Sequence, residues 1–212
     1  MRTTIKLLVA LALAFATFNQ HTTAAAAEVF KFKGQGVSAF FSSTDSSGCI
    51  LTNVIIIASE DSFQTMPDSE ETTSWIELAI SQYDECAQTE LLDAEGFASL
   101  ADSDLQVTRK LDLATLDTTV NVEDEVSHTF FDVDVDLAWM GIGPLAYENI
   151  AFPFHSSGCN INSHFNGTSR PAEASGTISD GTTNFTPELS IDDPLSTYIG
   201  SSKNGVVSIG CD

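Results

Sequence analysis

The sequence is poor in positive charge: 8 Lys and Arg stand against 30 Asp and Glu in 212 residues, a formal charge of -22. Proteins bind a phosphate backbone by releasing counterions with clustered bases. The nearest approaches to a cluster here are Lys31/Lys33 and Arg109/Lys110, which excludes nucleic acid as a partner. Anionic membrane surfaces are disfavoured by the same repulsion. After Phe15, no apolar run is long and uncharged enough for the roughly 20 residues of a bilayer-spanning helix, so no membrane span is expected. Nucleophilic chemistry is also poorly provided for. There is no Gly-x-Ser-x-Gly elbow and no Ser-x-x-Lys pair. Only Trp75 and Trp139 supply indole rings, and both fall in phase with apolar strand faces, where they read as core anchors.

The amino-terminal segment reads as an address. Arg2 and Lys6 precede the apolar run 7–15, and the small residues 22–27 end in an Ala-x-Ala pattern before Glu28. This is the pattern of a secretory signal peptide over 1–27, leaving 28–212 as a single β domain. The expected location is secreted or extracellular, or periplasmic if the source is a Gram-negative bacterium. A lipid anchor is not expected, because no Cys stands at the cleavage point and the Gly-Cys-Asp end has no apolar tail. In an oxidising compartment the 4 cysteines, Cys49, Cys86, Cys159 and Cys211, read as two disulfides. Cys49 opens the apolar run 50–58 and Cys86 follows the run 75–83, so a hairpin would bring these two together. Cys159 and Cys211 then pair and tie the last strand to an earlier one.

A hydrophobic fraction of 42% with 14 Phe promises a packed core. The clearest element is 131–139, where Phe131, Val133, Val135, Leu137 and Trp139 alternate with Asp132, Asp134, Asp136 and Ala138. Period two means a half-buried strand. Similar patterns occur at 37–42, 50–58, 75–83, 105–111, 115–122, 147–154, 160–165, 174–179, 197–202 and 206–211. Asn204-Gly205 reads as a type I′ hairpin turn placing Tyr198 opposite Cys211, and Asn166-Gly167 as a second turn. Pro171 suggests an edge strand or bulge. The span 83–101 is the one plausible helix, weakened by Gly96. Together these patterns predict an all-β fold: an antiparallel β-sandwich or barrel of about ten short strands, stapled by disulfides. Ser46-Ser47-Gly48-Cys49 recurs as Ser156-Ser157-Gly158-Cys159, a faint echo that a duplicated unit would leave.

The candidate sites follow from the titratable residues. His128 reads as a solvated loop histidine. His155, Cys159 and His164 crowd one turn, but their spacing matches no standard zinc pattern and an oxidised Cys159 is no thiolate ligand. Asp132, Asp134 and Asp136 stand in a row about 7 Å apart on one strand face. Calcium suits such an oxygen-only set, although the Gly of a calcium loop is missing because Leu137 follows. A solvated outer face is the plainer reading of that row. A second acidic group, Glu60, Asp61, Asp68, Glu70 and Glu71, is expected in the loop between the two Cys-bearing strands, where it suits cations equally well. Asn166-Gly167-Thr168 and Asn184-Phe185-Thr186 are N-glycosylation sequons. The leading expectation is a secreted, non-catalytic domain acting through its surface on an unknown extracellular ligand or envelope component. The alternatives are a secreted hydrolase using an unidentified acidic pair and a calcium-dependent module. A deep polar cleft would favour the hydrolase, and a flat sheet face would favour binding.

Overall fold

A computed structural model describes residues 28–65, 69–156, 159–186 and 197–211; the segment 1–27, expected to be a signal peptide, lies outside the described residues. The chain is all-β, with ten strands: β1 (Glu28–Thr44), β2 (Ile50–Thr65), β3 (Ser69–Asp84), β4 (Thr89–Ser99), β5 (Leu105–Val107), β6 (Leu113–Asp124), β7 (Thr129–Gly141), β8 (Ala146–Ser156), β9 (Cys159–Ser179) and β10 (Tyr198–Cys211). They join one sheet in the order β10-β1-β2-β3-β4-β6-β7-β9-β8, every pairing antiparallel. Because β9 also pairs with β10, the ladder closes into a barrel-like ring of eight. β8 is added outside on β9, and β5 is added on β6.

Alternation decides which side of the ring is dry. Val37, Ala39 and Phe41 on β1, Val54 and Ile56 on β2, and Ile76, Leu78 and Ile80 on β3 all point inward and are buried. Val133, Val135, Leu137 and Trp139 of β7 do the same, while Asp132, Asp134 and Asp136 face out. Each large apolar side chain so buried contributes roughly 1.5–3 kcal/mol. The ring is filled with side chains: β5 reaches β1 and β2 on the opposite wall, carrying Leu105 into the core. Among the described residues no buried side-chain nitrogen or oxygen lacks a hydrogen-bond partner.

Beyond the ring, the first part of β1, the last part of β2 and the facing parts of β10 and β9 continue as a sheet whose apolar side is reversed. Phe32, Phe63 and Phe165 pack there, with ring centroids 5.1 Å and 5.8 Å from Phe32. On β1 these positions alternate with exposed Lys31 and Lys33. Gly205 makes room for the cluster, since a Cβ on it would meet Phe32 at 2.8 Å and Phe165 at 2.9 Å.

The disulfide Cys49–Cys86 is present, with Cα atoms 5.3 Å apart. The β2–β3 hairpin sets it, because Ile50 stands opposite Asp84 and the two cysteines lie just beyond that pair. Cys159 is also oxidised and stands opposite Cys211 in backbone register; Cys211 is the one cysteine left once Cys49 and Cys86 have paired.

Five sequence expectations are corrected. The span 83–101 is not helical: it is the end of β3, a turn and β4, whose alternation of Leu92, Ala94, Gly96 and Ala98 against Asp93, Glu95 and Phe97 has period two. Asn204-Gly205 does not reverse the chain. β10 runs straight through it with a register shift between Ser202 and Val206, so Tyr198 faces Ser38 and Pro171 instead of Cys211. Asn166-Gly167 likewise lies within β9. In both places the flanking residues of the strand are paired on two sides, and the two ladders outweigh a local turn preference. Pro171 sits on neither an edge nor a bulge. It marks the point where the partner of β9 changes from β8, ending at Ser169, to β7, beginning at Ala172, a gap where a missing N–H costs nothing. Most strands are also longer than expected, because 160–165 and 174–179 are one strand, as are 197–202 and 206–211, whereas the strand expected at 105–111 ends at Val107.

Candidate functional site

Four neighbouring strands of the ring, β3, β4, β6 and β7, contain no Lys or Arg. Among the described residues the bases are elsewhere: Lys31 and Lys33 on β1, Arg109 and Lys110 in the β5–β6 turn, Arg170 on β9 and Lys203 on β10. The outward face of that wall therefore carries acids and no bases, and it holds a shallow groove of about 350 Å³ lined by Glu77, Glu95, Gly96, Phe97, Glu123 and Glu125. Register builds it. Glu77 stands opposite Phe97, Glu95 opposite Glu123, and Glu123 opposite Phe130. Burial pushes the Glu77 carboxyl above its ordinary value of 4.5, and the neighbouring charge of Glu95 adds to this.

Two aromatic rings flank the acids. Phe97 is 67% exposed and Phe130 66%. Trp75, expected as a core anchor, is instead half-buried, out of phase with the buried Ile76, Leu78 and Ile80 of β3, and it holds Phe97 flat from behind, with centroids 5.7 Å apart and planes 21° from parallel. Trp75 is fixed in turn by its indole N–H, which donates to Asp61 at 3.2 Å, while the Ser59 hydroxyl donates to the same carboxylate at 2.7 Å. Asp61 is only 4% exposed, and burial raises its pKa above 3.8 against these two hydrogen bonds. A chain of contacts from Ser59 through Asp61 and Trp75 thus places one exposed ring.

The residues singled out in the sequence are mostly separated. Asp132 accepts from Asn121 at 2.8 Å, Asp134 accepts from Thr119 at 2.7 Å, and Asp136 stands opposite Asp117. Each carboxylate thus has its own neighbour on β6. Glu60 and Asp61 lie within β2, Glu70 and Glu71 within β3, and Asp68 lies outside the described residues. The one cluster of metal-ligating types among the described residues is Cys49, Asp84 and Cys86, whose sulfurs are joined to each other and are not thiolates. His128 is exposed in the β6–β7 turn with a φ of 57°. His164 lies exposed on β9, and the His155 side chain is outside the described residues. Of the sequons, Asn166 is exposed on β9; Asn184 accepts the Thr186 N–H at 2.9 Å in a turn.

The Glu95, Glu123, Phe97 and Phe130 face is not among the sequence expectations, because it depends on β4 being a strand where the sequence suggests a helix. Its signal was the strict alternation of 92–98. The ring is filled with apolar side chains, and no described helix is long and apolar enough to cross a membrane. Compared with known protein families, curated proteins and solved structures, the chain matches none.

Proposed function

We propose that the protein is a secreted, non-catalytic β domain that acts through its surface, at or beyond the cell envelope, by holding a basic partner against the β3–β4–β6 wall. The observation that carries this reading is the strip running from Phe97 across Glu95 and Glu123 to Phe130 on a wall without bases. Exposed aromatic rings fixed from behind are the usual anchors of a binding surface. Carboxylates around them select Lys and Arg, through charge and through cation–π contact with the rings. The openness of the face supports binding over hydrolysis, because a glycosidase-type acid pair works from a cleft that shields one carboxyl from water.

The test is titration of the oxidised, processed chain with a synthetic peptide rich in Lys and Leu, and with its Lys→Glu counterpart, by calorimetry at several salt concentrations. The reading expects the basic peptide to bind and the acidic one to fail, with affinity falling as salt rises. Phe97→Ala should weaken binding by about tenfold or more, the scale of an interface anchor. Equal binding of both peptides, or full binding by Phe97→Ala, would remove the wall as the site.

A further inference from the structure

The ring is closed by eight ladders of very unequal length. β4 and β6 share two register pairs, Ala94 with Asp124 and Glu95 with Glu123, whereas the flanking β3–β4 and β6–β7 ladders have ten and twelve. Two further hydrogen bonds lie at the same end: the Glu125 N–H donates to the Asp93 carbonyl at 2.7 Å, and the Asp93 N–H donates to the Asp124 carboxylate at 3.2 Å. Past that point β4 crosses over β6 at Gly96, where a Cβ would lie 2.6 Å from the Asn121 carbonyl. Very little backbone bonding therefore holds this seam.

Like charges face one another across it. Glu95 and Glu123 are directly opposed, an arrangement that destabilises a strand pair. Glu77 approaches from β3 and Glu125 from the β6–β7 turn. Asp93 and Asp124 bridge the seam itself, His128 closes the turn, and Asp132 is the nearest acid on β7, one strand further on. No Lys or Arg occurs on any of these strands.

We propose that the β4–β6 seam is an electrostatic latch, at which the ring opens locally when its glutamates are ionised and unscreened and closes when they are screened or neutralised. Opening there exposes the flank of a filled core without dismantling the long β1–β2–β3 ladders. Mild acid acts in the same direction as salt. Burial raises the Glu77 pKa, so its penalty is greatest at neutral pH and fades as pH falls toward 4.5. Acid below 3.8 reverses the benefit: although burial pushes the Asp124 carboxyl up, hydrogen bonds from Ser127, Val126 and Asp93 outweigh it and hold it low, and these are lost on protonation.

Amide hydrogen exchange of the oxidised chain at pH 7 tests the latch. Measurements at about 0.01 M and about 1 M salt span Debye lengths of about 30 and about 3 Å. The latch expects protection of β4 and β6 amides to fall by about tenfold at low salt while β2 amides change less than about twofold, as for local and not global opening. Glu95→Gln with Glu123→Gln should abolish that difference, and Asp134→Asn, which removes a charge from the same wall away from the seam, should leave it. Parallel loss of protection in β2 and β4 would overturn the latch in favour of general charge repulsion. A difference that survives in the double glutamine variant would also overturn it.

Discussion

The indole nitrogen of Trp139 donates to the carbonyl oxygen of Ser38 at 2.9 Å, joining β7 to β1, two strands that are not neighbours in the sheet. Both ends of this bond are dry: Trp139 is fully buried and Ser38 nearly so. It is a strut across the interior of the ring. Trp139→Phe keeps much of the apolar area but removes the donor, and the cavity left by the smaller ring adds to the loss. We expect a cost of about 2–4 kcal/mol, read from the urea midpoint with an unchanged slope. A loss under about 0.5 kcal/mol, the level of a surface change, would show that the strut carries no stability.

Asp61 makes stability depend on pH in a defined direction. Its folded-state pKa is raised by burial above the ordinary 3.8. The folded state therefore favours the protonated form, and the contribution of Asp61 is fully present below 3.8 and lost as pH rises through the folded value. Asp61→Asn keeps an acceptor for the Trp75 N–H and removes the titration. The variant should match the parent in acid and exceed it in Tm at pH 7, with a flatter profile between. Thermal melts across that range check this. A variant profile parallel to that of the parent would assign the pH dependence to other groups.

The two faces of β7 should respond in opposite ways to substitution. Val135 is buried among core side chains, whereas Asp134 is exposed. Val135→Asp should cost several kcal/mol by burying a charge without a partner, and Asp134→Ser should be nearly neutral or slightly stabilising. Since Asp132, Asp134 and Asp136 each have a separate neighbour on β6, melts in calcium and in sodium of equal ionic strength should coincide. A rise in Tm specific to calcium, abolished by Asp134→Asn, would establish a calcium site on this row.

Strand patterns were legible wherever one face met the core and the other met water. The Asp row and its apolar partners on β7 were read residue by residue, and the Cys49–Cys86 bridge followed from the hairpin that precedes it. What could not be read was decided by long-range pairing. Asn204-Gly205 has the chemistry of a tight turn, yet β10 has β1 on one side and β9 on the other, so the dipeptide becomes an irregularity within a strand. β4 is rich in Glu, Leu and Ala, residues with good helix propensity, and only the ladder to β3 makes it extended. The candidate face was lost with it, because Glu95 and Glu123 are 28 residues apart in the sequence and meet only once β4 and β6 are neighbours. The reversal of the apolar side between the ring and its extension leaves a local trace, a change of phase along β1 from Phe30 and Phe32 to Val37, Ala39 and Phe41, but which side each set faces is decided only by the pairing.

The ladder that closes the ring joins its first and last strands, with Glu28 of β1 opposite Ile209 of β10. In a chain made from its amino end, β1 has one edge covered by β2 as soon as that hairpin forms, while the other waits until almost the whole sequence has been made. For that interval the nascent sheet has an open edge and an uncovered apolar side. Pairings of such high sequence separation form slowly, and a bare edge is a site for intermolecular strand pairing. Closure is thus a late, single event that ends the exposure, and the slow step of folding should be the arrival of β10 between β1 and β9.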